Sequence, residues 1–234
     1  MCIYFSGVES AGFSEGMAMM NEYRTFLEYG ESEIVQKKSR FIGQTFYVSN
    51  EEEVQQALLE TRKKQKLANH NCYAYRLEGP TVIERQSDDG EPGGTAGMPI
   101  LDILRGEKIV NGMVIVTRYF GGTLLGTGGL VKAYGSAAKE AVINAGIVTK
   151  ARYCKISIFC DYTLSGKIEY ELKTDNIAMD EIIYTDKVEF RIYIPLGREA
   201  AYIDKIIDIS SSKAEIVKTG EVYGGIVENK FRLL

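Results

Sequence analysis

The chain lacks a basic excess, a long hydrophobic run and a secretory leader pattern. Residues 1–150 contain 16 Lys and Arg against 18 Asp and Glu, and residues 151–234 contain 12 against 14. Neither part therefore has the excess of basic residues that is expected of a nucleic-acid-binding protein. No stretch approaches the roughly 20 apolar residues that cross a bilayer, and the N-terminus lacks a basic-then-apolar pattern. We therefore expect a cytoplasmic protein with no membrane partner.

Metal-binding and disulfide signatures are also missing. The four cysteines include no CxxC pair, and His70 is the only histidine, so a His–His metal site is excluded. Cys154 and Cys160 share one face of a predicted strand, about 20 Å apart at roughly 3.3 Å per residue, which is too far for a disulfide. We expect a reduced protein without a metal or cofactor.

A glycine-rich loop is the most unusual stretch of the chain. Five glycines fall within residues 121–129, between an apolar run at 113–116 that predicts a buried strand and a helical pattern over 130–145. The first N–H groups of a helix have no intrahelical partner and favour anions. The loop is thus either an anion site or a device for tight strand-to-helix packing. Neither a Rossmann fingerprint nor a P-loop is present, so a nucleotide is not implied.

A second special loop spans residues 87–99 and is rich in acidic and turn-forming residues. His70, Asp88, Asp89 and Glu91 are the candidate catalytic residues, since carboxylates and imidazole can serve proton transfer or a metal. The alternative is turn chemistry, in which the aspartates bond their own backbone, and we favour it over metal binding. No nucleophile elbow is present, and Cys72 within a predicted strand is typical of an inert core thiol.

The chain divides into three predicted regions. Residues 1–20 are expected to form a poorly ordered extension, and residues 21–150 and 151–234 two domains. Alternating and helical apolar patterns after residue 150 give the order βαββαβ, which is the ferredoxin-like unit. The predicted fold class is α+β with two domains.

Three blocks together resemble the YigZ/Impact family, and the match covers most of residues 21–234. The blocks lie at residues 70–76, at 87–92 with 95–101, and at 116–122 with 125–130. The resemblance implies an Impact-type N-terminal domain like domain two of ribosomal protein S five, a sheet covered on one face by helices. It also implies a ferredoxin-like C-terminal domain. The resemblance also implies kinship with eukaryotic regulators of translation that act by binding partner proteins, and this two-domain form is similar to the bacterial branch of the family.

We favour a binding or regulatory protein, linked to translation or RNA, over an enzyme. Its polar surface would take a protein, a ribosomal or RNA element, or a small anionic ligand. The expected ligand-binding residues are Arg85, Arg118, Gly121, Gly122, Gly126, Thr127, Gly128, Gly129 and Lys132. The alternative is a hydrolase or phosphoryl-transfer enzyme that uses His70 with Asp88 or Asp89. A third hypothesis is a dimerisation or docking face in the C-terminal domain with Tyr193, Tyr202 and Tyr223.

Overall fold

A computed structural model describes residues 22–228 and 230–234, and the predicted extension at residues 1–20 lies outside them. The first part of this range combines six strands with three helices. Its elements are β1 (Glu22–Phe26), β2 (Glu31–Gln36), β3 (Ser39–Tyr47), α1 (Glu51–Lys64), β4 (His70–Leu77), β5 (Ile83–Ser87), α2 (Gly97–Gly106), β6 (Gly112–Tyr119) and α3 (Thr127–Ala145). Strands β2 to β6 form one antiparallel sheet in the order β2-β3-β6-β4-β5.

Local chemistry explains where α1 begins. The Asn50 side chain accepts a hydrogen bond from the Glu53 N–H at 2.9 Å, and residues 51–53 are all acidic, which favours a helix N-terminus. The last turn carries Arg62, Lys63 and Lys64, where cations are favoured. These features are typical of the two ends of an α-helix.

Helices cover both faces of this first sheet. One face packs against α2 and α3 through a core that includes Phe41, Leu104 and Tyr134. The other face packs against α1, where Val54 and Leu58 join a second core cluster. The expectation of helices on one face only is therefore wrong, because the apolar stripe of α1 finds its burial on the opposite side.

The second part of the chain has the predicted βαββαβ order. Its elements are β7 (Ile147–Cys160), α4 (Tyr162–Thr174), β8 (Ala178–Tyr184), β9 (Val188–Pro195), α5 (Glu199–Ser210), β10 (Glu215–Val227) and β11 (Lys230–Leu233). The sheet order β10-β7-β9-β8 is that of a ferredoxin-like unit, with every neighbouring pair antiparallel. The two-domain α+β fold class is thus confirmed. Of the described helices, none is long and apolar enough to span a membrane.

Two strands extend the ferredoxin-like sheet beyond its basic unit. The C-terminal β11 pairs with β10, and β1 pairs with β7 in the register Glu22↔Ala151. The first strand of the described residues, β1, therefore belongs to the second sheet. The domain division at residue 150 stays a prediction.

One of the tyrosines proposed for a docking face is buried. Tyr193 is only 2% exposed, stacks on Phe231 of β11 at 4.5 Å between ring centroids, and donates a hydrogen bond to Asp180. The proposed face was wrong in including Tyr193, because the sequence pattern did not reveal β11.

Candidate functional site

The acidic loop is held together by the side chain of Asp88. Its Oδ1 accepts hydrogen bonds from the N–H groups of Ala96 and Gly97 at 2.9 and 2.8 Å, and its Oδ2 accepts one from the Gly94 N–H at 2.8 Å. Burial alone would raise the pKa of this carboxyl, but the three donors outweigh it and the pKa is lowered. Asp88 thereby supplies the anionic acceptor at the start of α2.

Asp89 ties the acidic loop to β4 and α1. Its carboxylate accepts from the Asn71 N–H at 2.7 Å and from Arg62 Nη2 at 3.0 Å. Its backbone carbonyl lies 2.8 Å from His70 Nδ1, which fixes the imidazole ring. Asp89 also has a positive φ of 43°, a conformation that aspartate tolerates in turns.

Glu91 is the centre of a buried polar cluster. Its Oε1 accepts hydrogen bonds from Arg118 Nη1 at 2.5 Å and from the Tyr134 hydroxyl at 2.7 Å, and His70 Nε2 lies 3.8 Å away. Burial raises the pKa of the Tyr134 hydroxyl, so this group stays a hydrogen-bond donor. The cluster joins the acidic loop to β4, β6 and α3.

The glycines of the glycine-rich loop, residues 121–129, are accommodated for different structural reasons. A Cβ at Gly121 would lie 2.0 Å from the Lys38 backbone, so this glycine permits close packing. Gly122 and Gly126 have φ values of 80° and 73°, which favour glycine. Gly128 has no positive φ and a Cβ there would meet nothing within 4 Å.

A cleft of about 460 Å³ lies where the two loops meet. It is lined by Asn69, His70, Glu91, Pro92, Arg118, Phe120, Leu124, Leu125, Gly126, Thr127 and Leu130. The structure thus brings together predicted residues from both loops, since His70 and Glu91 share the cleft with Arg118 and the start of α3.

Other predicted residues lie outside this cleft lining. Asp88 and Asp89 support it from the acidic loop, whereas Arg85 on β5 donates to the Glu84 carbonyl instead. Lys132 is exposed on α3, and Gly121, Gly122, Gly128 and Gly129 flank the lining residues in sequence. Within the part of the chain that the structure describes, no three His, Cys, Asp or Glu side chains are grouped to hold a metal ion.

Sequence reasoning missed the apolar and amide members of the cleft. Phe120 and Leu124 are 46% and 81% exposed, and Asn69 accepts a hydrogen bond from the Phe120 N–H at 2.8 Å. Large apolar residues inside a glycine-rich loop indicate a binding surface, because such a loop has no hydrophobic core of its own in which to bury them. The role of Asn69 carries no comparable signal.

The position of Cys72 in the fold makes its thiol unreactive. It is fully buried beside the acidic loop, and its Sγ donates to the Asp88 carbonyl at 3.0 Å. Burial raises the pKa of the Cys72 thiol to about 12. The thiolate that a nucleophilic mechanism needs is therefore disfavoured.

Comparison with known proteins agrees with this architecture. Residues 37–142 match the model of the Impact N-terminal domain, and residues 158–213 match a domain of unknown function. The IMPACT family member YvyE of Bacillus subtilis (strain 168) is 39% identical over 204 residues, which cover 87% of this chain and 94% of that protein. The IMPACT family member YigZ of Escherichia coli (strain K12) is 32% identical, covering 79% of this chain and 92% of that protein.

A solved structure extends the similarity to three dimensions. The crystal structure of a hypothetical protein superposes with a TM-score of 0.56 at 29% identity, covering 86% of this chain and 98% of that one. YvyE and YigZ are each more than 30% identical to this chain, and the matches cover 94% and 92% of those two proteins. The chain therefore belongs to the IMPACT family.

Proposed function

We propose that this chain is a regulatory binding protein, linked to translation, whose cleft recognises an element of a protein or RNA partner. The observation that carries the proposal is the composition of the cleft. Exposed Phe120 and Leu124 stand beside Arg118 and the start of α3, so apolar contact and hydrogen-bond donors are available together. The link to translation rests on the family resemblance alone.

The acidic side chains already make hydrogen bonds within the fold, and this favours a binding function over a catalytic one. Asp88 and Asp89 accept hydrogen bonds from backbone N–H groups that shape the loop, and Glu91 is engaged by Arg118 and Tyr134. A general base must reach the proton that it abstracts, and these carboxylates are already used within the fold.

His70 is the observation that favours an enzyme as the second candidate. Its ring lines the cleft, its Nδ1 is fixed by the Asp89 carbonyl, and its Nε2 is directed toward Glu91. An imidazole next to the start of α3 could transfer a proton during hydrolysis or phosphoryl transfer. Catalytic turnover of a phosphate ester that is lost in His70→Gln would support this candidate.

The binding proposal is tested by affinity capture from lysate, with and without ribonuclease. The variant Phe120→Ser/Leu124→Ser changes exposed cleft residues and should leave the fold intact. Leu67→Ser is the matched control, because Leu67 is 87% exposed and lies outside the cleft lining. Alanine variants of Asp88 and Asp89 are less informative, since these residues hold the loop itself.

We expect ribosomal or translation-factor partners to be captured by wild type and Leu67→Ser and lost from the cleft variant. Ribonuclease sensitivity would identify RNA as the partner, and resistance would identify protein. Equal capture by the cleft variant and the control would overturn the proposal.

A further inference from the structure

We propose that the cleft binds an oxyanion, a phosphate or a carboxylate, carried on an apolar body. The oxyanion would accept hydrogen bonds from the first turn of α3, and the apolar body would lie against Phe120 and Leu124. This inference rests on the proposed function and defines the chemistry that a partner or small ligand would present.

The first turn of α3 offers uncommitted donors at the cleft. The Leu130 N–H bonds to the Gly126 carbonyl at 3.0 Å, and in the described chain the N–H groups of Thr127, Gly128 and Gly129 have no hydrogen-bond acceptor. This first turn contains no acidic residue. By contrast, Asn50 caps α1, and Asp88 accepts from the start of α2.

Gly128 points to close approach by a ligand. Its backbone does not require glycine, since its φ is not positive, and a Cβ there would meet nothing within 4 Å. Packing therefore does not require glycine either. A residue without a side chain at the second position of a helix leaves its N–H groups open to an incoming oxyanion.

Arg118 supplies an independent observation. It is only 5% exposed, lines the cleft, and has its guanidinium 5.4 and 5.5 Å from the ring centroids of Phe41 and Phe120. Nη1 is used by Glu91, but Nε is buried without a hydrogen-bond partner among the described residues. Buried guanidinium donors are normally satisfied, so Arg118 adds a positive charge with one unsatisfied donor to the side chains around the cleft.

Glu91 does not oppose an anion as an isolated charge. Its carboxylate also lines the cleft, but Arg118 and Tyr134 both donate to its Oε1. The ion pair is close to neutral overall, and the partial positive charge of the α3 N-terminus remains.

The size and lining of the cleft define the rest of the ligand. Its volume of about 460 Å³ lies within the range of roughly 300–1,000 Å³ typical of small-molecule sites. Phe120, Leu124 and Leu125 give it an apolar wall next to the helix start. One aromatic ring or a short acyl chain attached to the oxyanion fits this combination.

The test is a titration of the full chain with four probes. Binding is measured from changes in NMR chemical shifts and from the midpoint of thermal unfolding. The probes are phenyl phosphate, benzoate, inorganic phosphate and the uncharged benzyl alcohol. We expect phenyl phosphate or benzoate to bind more tightly than inorganic phosphate, and benzyl alcohol to bind least. Comparison of the two aromatic anions distinguishes a phosphate from a carboxylate ligand.

Gly128→Asp is the decisive variant, because it places a carboxylate in the first turn of α3, next to Thr127 of the cleft lining, where it competes with the ligand anion for the same N–H groups. Helix N-termini favour acidic side chains, so the variant should fold at least as stably as wild type while affinity falls by at least about tenfold. Lys139→Gln is the control, since it changes net charge by the same amount at an exposed α3 site outside the cleft lining. It should keep wild-type affinity.

Equal affinity in Gly128→Asp and wild type, or the absence of saturable binding by any anion, would overturn the inference. Partner capture that depends on Phe120 and Leu124 would then still support the proposed function. Anion binding without such capture would leave the inference standing and remove the proposed function.

Discussion

Arg118 Nη1 donates a hydrogen bond to Glu91 Oε1 at 2.5 Å, and the two side chains are only 6% and 4% exposed. The ion pair connects β6 to the acidic loop, and Tyr134 attaches α3 to the same carboxylate oxygen. Two charges removed from water are tolerated because each has the other. The cleft is therefore built on a contact that needs both partners.

Removing one charge of this pair should strongly destabilise the fold. Arg118→Met leaves the Glu91 carboxylate buried without its cation, and the free energy of unfolding should fall by about 3–5 kcal/mol in urea denaturation. The control is Arg40→Met, whose partner Glu33 is about half exposed. Solvent screens that pair, so its loss should matter far less. Similar losses in both variants would contradict the burial argument.

Asp88 should contribute an acid-dependent part of the stability. Its folded-state pKa is lowered below the ordinary value of 3.8, so the contribution is complete above that value and is lost as pH falls through the lowered folded pKa. Asp88→Asn should cost about 1–3 kcal/mol at neutral pH, because the carboxamide keeps only one acceptor oxygen and at least one of the three N–H groups loses its acceptor. Urea denaturation at several pH values should show this difference shrinking in acid. A difference independent of pH would contradict the assignment.

The buried thiols should resist alkylation in the folded protein. Burial raises the pKa of Cys72 to about 12 and also raises those of Cys154 and Cys160. In a Cys2→Ser background, iodoacetamide at about pH 8 should label none of the three until the chain is unfolded. Mass spectrometry counts the labels. Selective labelling of folded Cys72 would show that this thiol is more accessible than its burial indicates.

Two glycine-to-alanine changes should have opposite effects on stability. A Cβ at Gly43 would lie 2.5 Å from the Ala137 carbonyl oxygen and 2.7 Å from Ser32 Oγ, where β3 meets α3. Gly43→Ala should therefore destabilise the protein by about 1–3 kcal/mol.

Gly166→Ala is the matched control, since a Cβ at this position in α4 would meet nothing within 4 Å. It should stabilise the fold by about 0.4–1 kcal/mol through the unfolded state and helix propensity. Thermal and urea unfolding measure both. An increase in the free energy of unfolding in Gly43→Ala would contradict the prediction, because it would mean that α3 and β3 move apart without loss of stability.

Periodic patterns explain how much of the fold could be predicted. Strand β7 buries every second residue, Cys154, Ile156 and Ile158, against α4 and α5. This alternation allowed the βαββαβ order to be predicted from the sequence. The four-residue β11 is too short for such a pattern. The pairing of β1 with β7 also has no local signal, because it joins distant parts of the chain.

The candidate site was predictable in its loops but not in its contacts. Glycine and turn residues marked the two loops, whereas the meeting of Glu91 with Arg118 and Tyr134 depends on tertiary packing of distant segments. Arg85 shows the limit of sequence proximity, since it lies near the acidic loop in sequence but bonds within β5. A residue type indicates possible chemistry, and only the fold selects its partner.

The pairing of β1 with β7 has a consequence for synthesis of the chain. Glu22 pairs with Ala151, and a ribosome adds roughly 5–20 residues per second, so β1 emerges on the order of ten seconds before its partner strand. The first sheet can form in that interval, while water solvates the β1 backbone groups that later pair with β7. Complete assembly of the second sheet therefore depends on a strand that is synthesised before every strand of the first sheet.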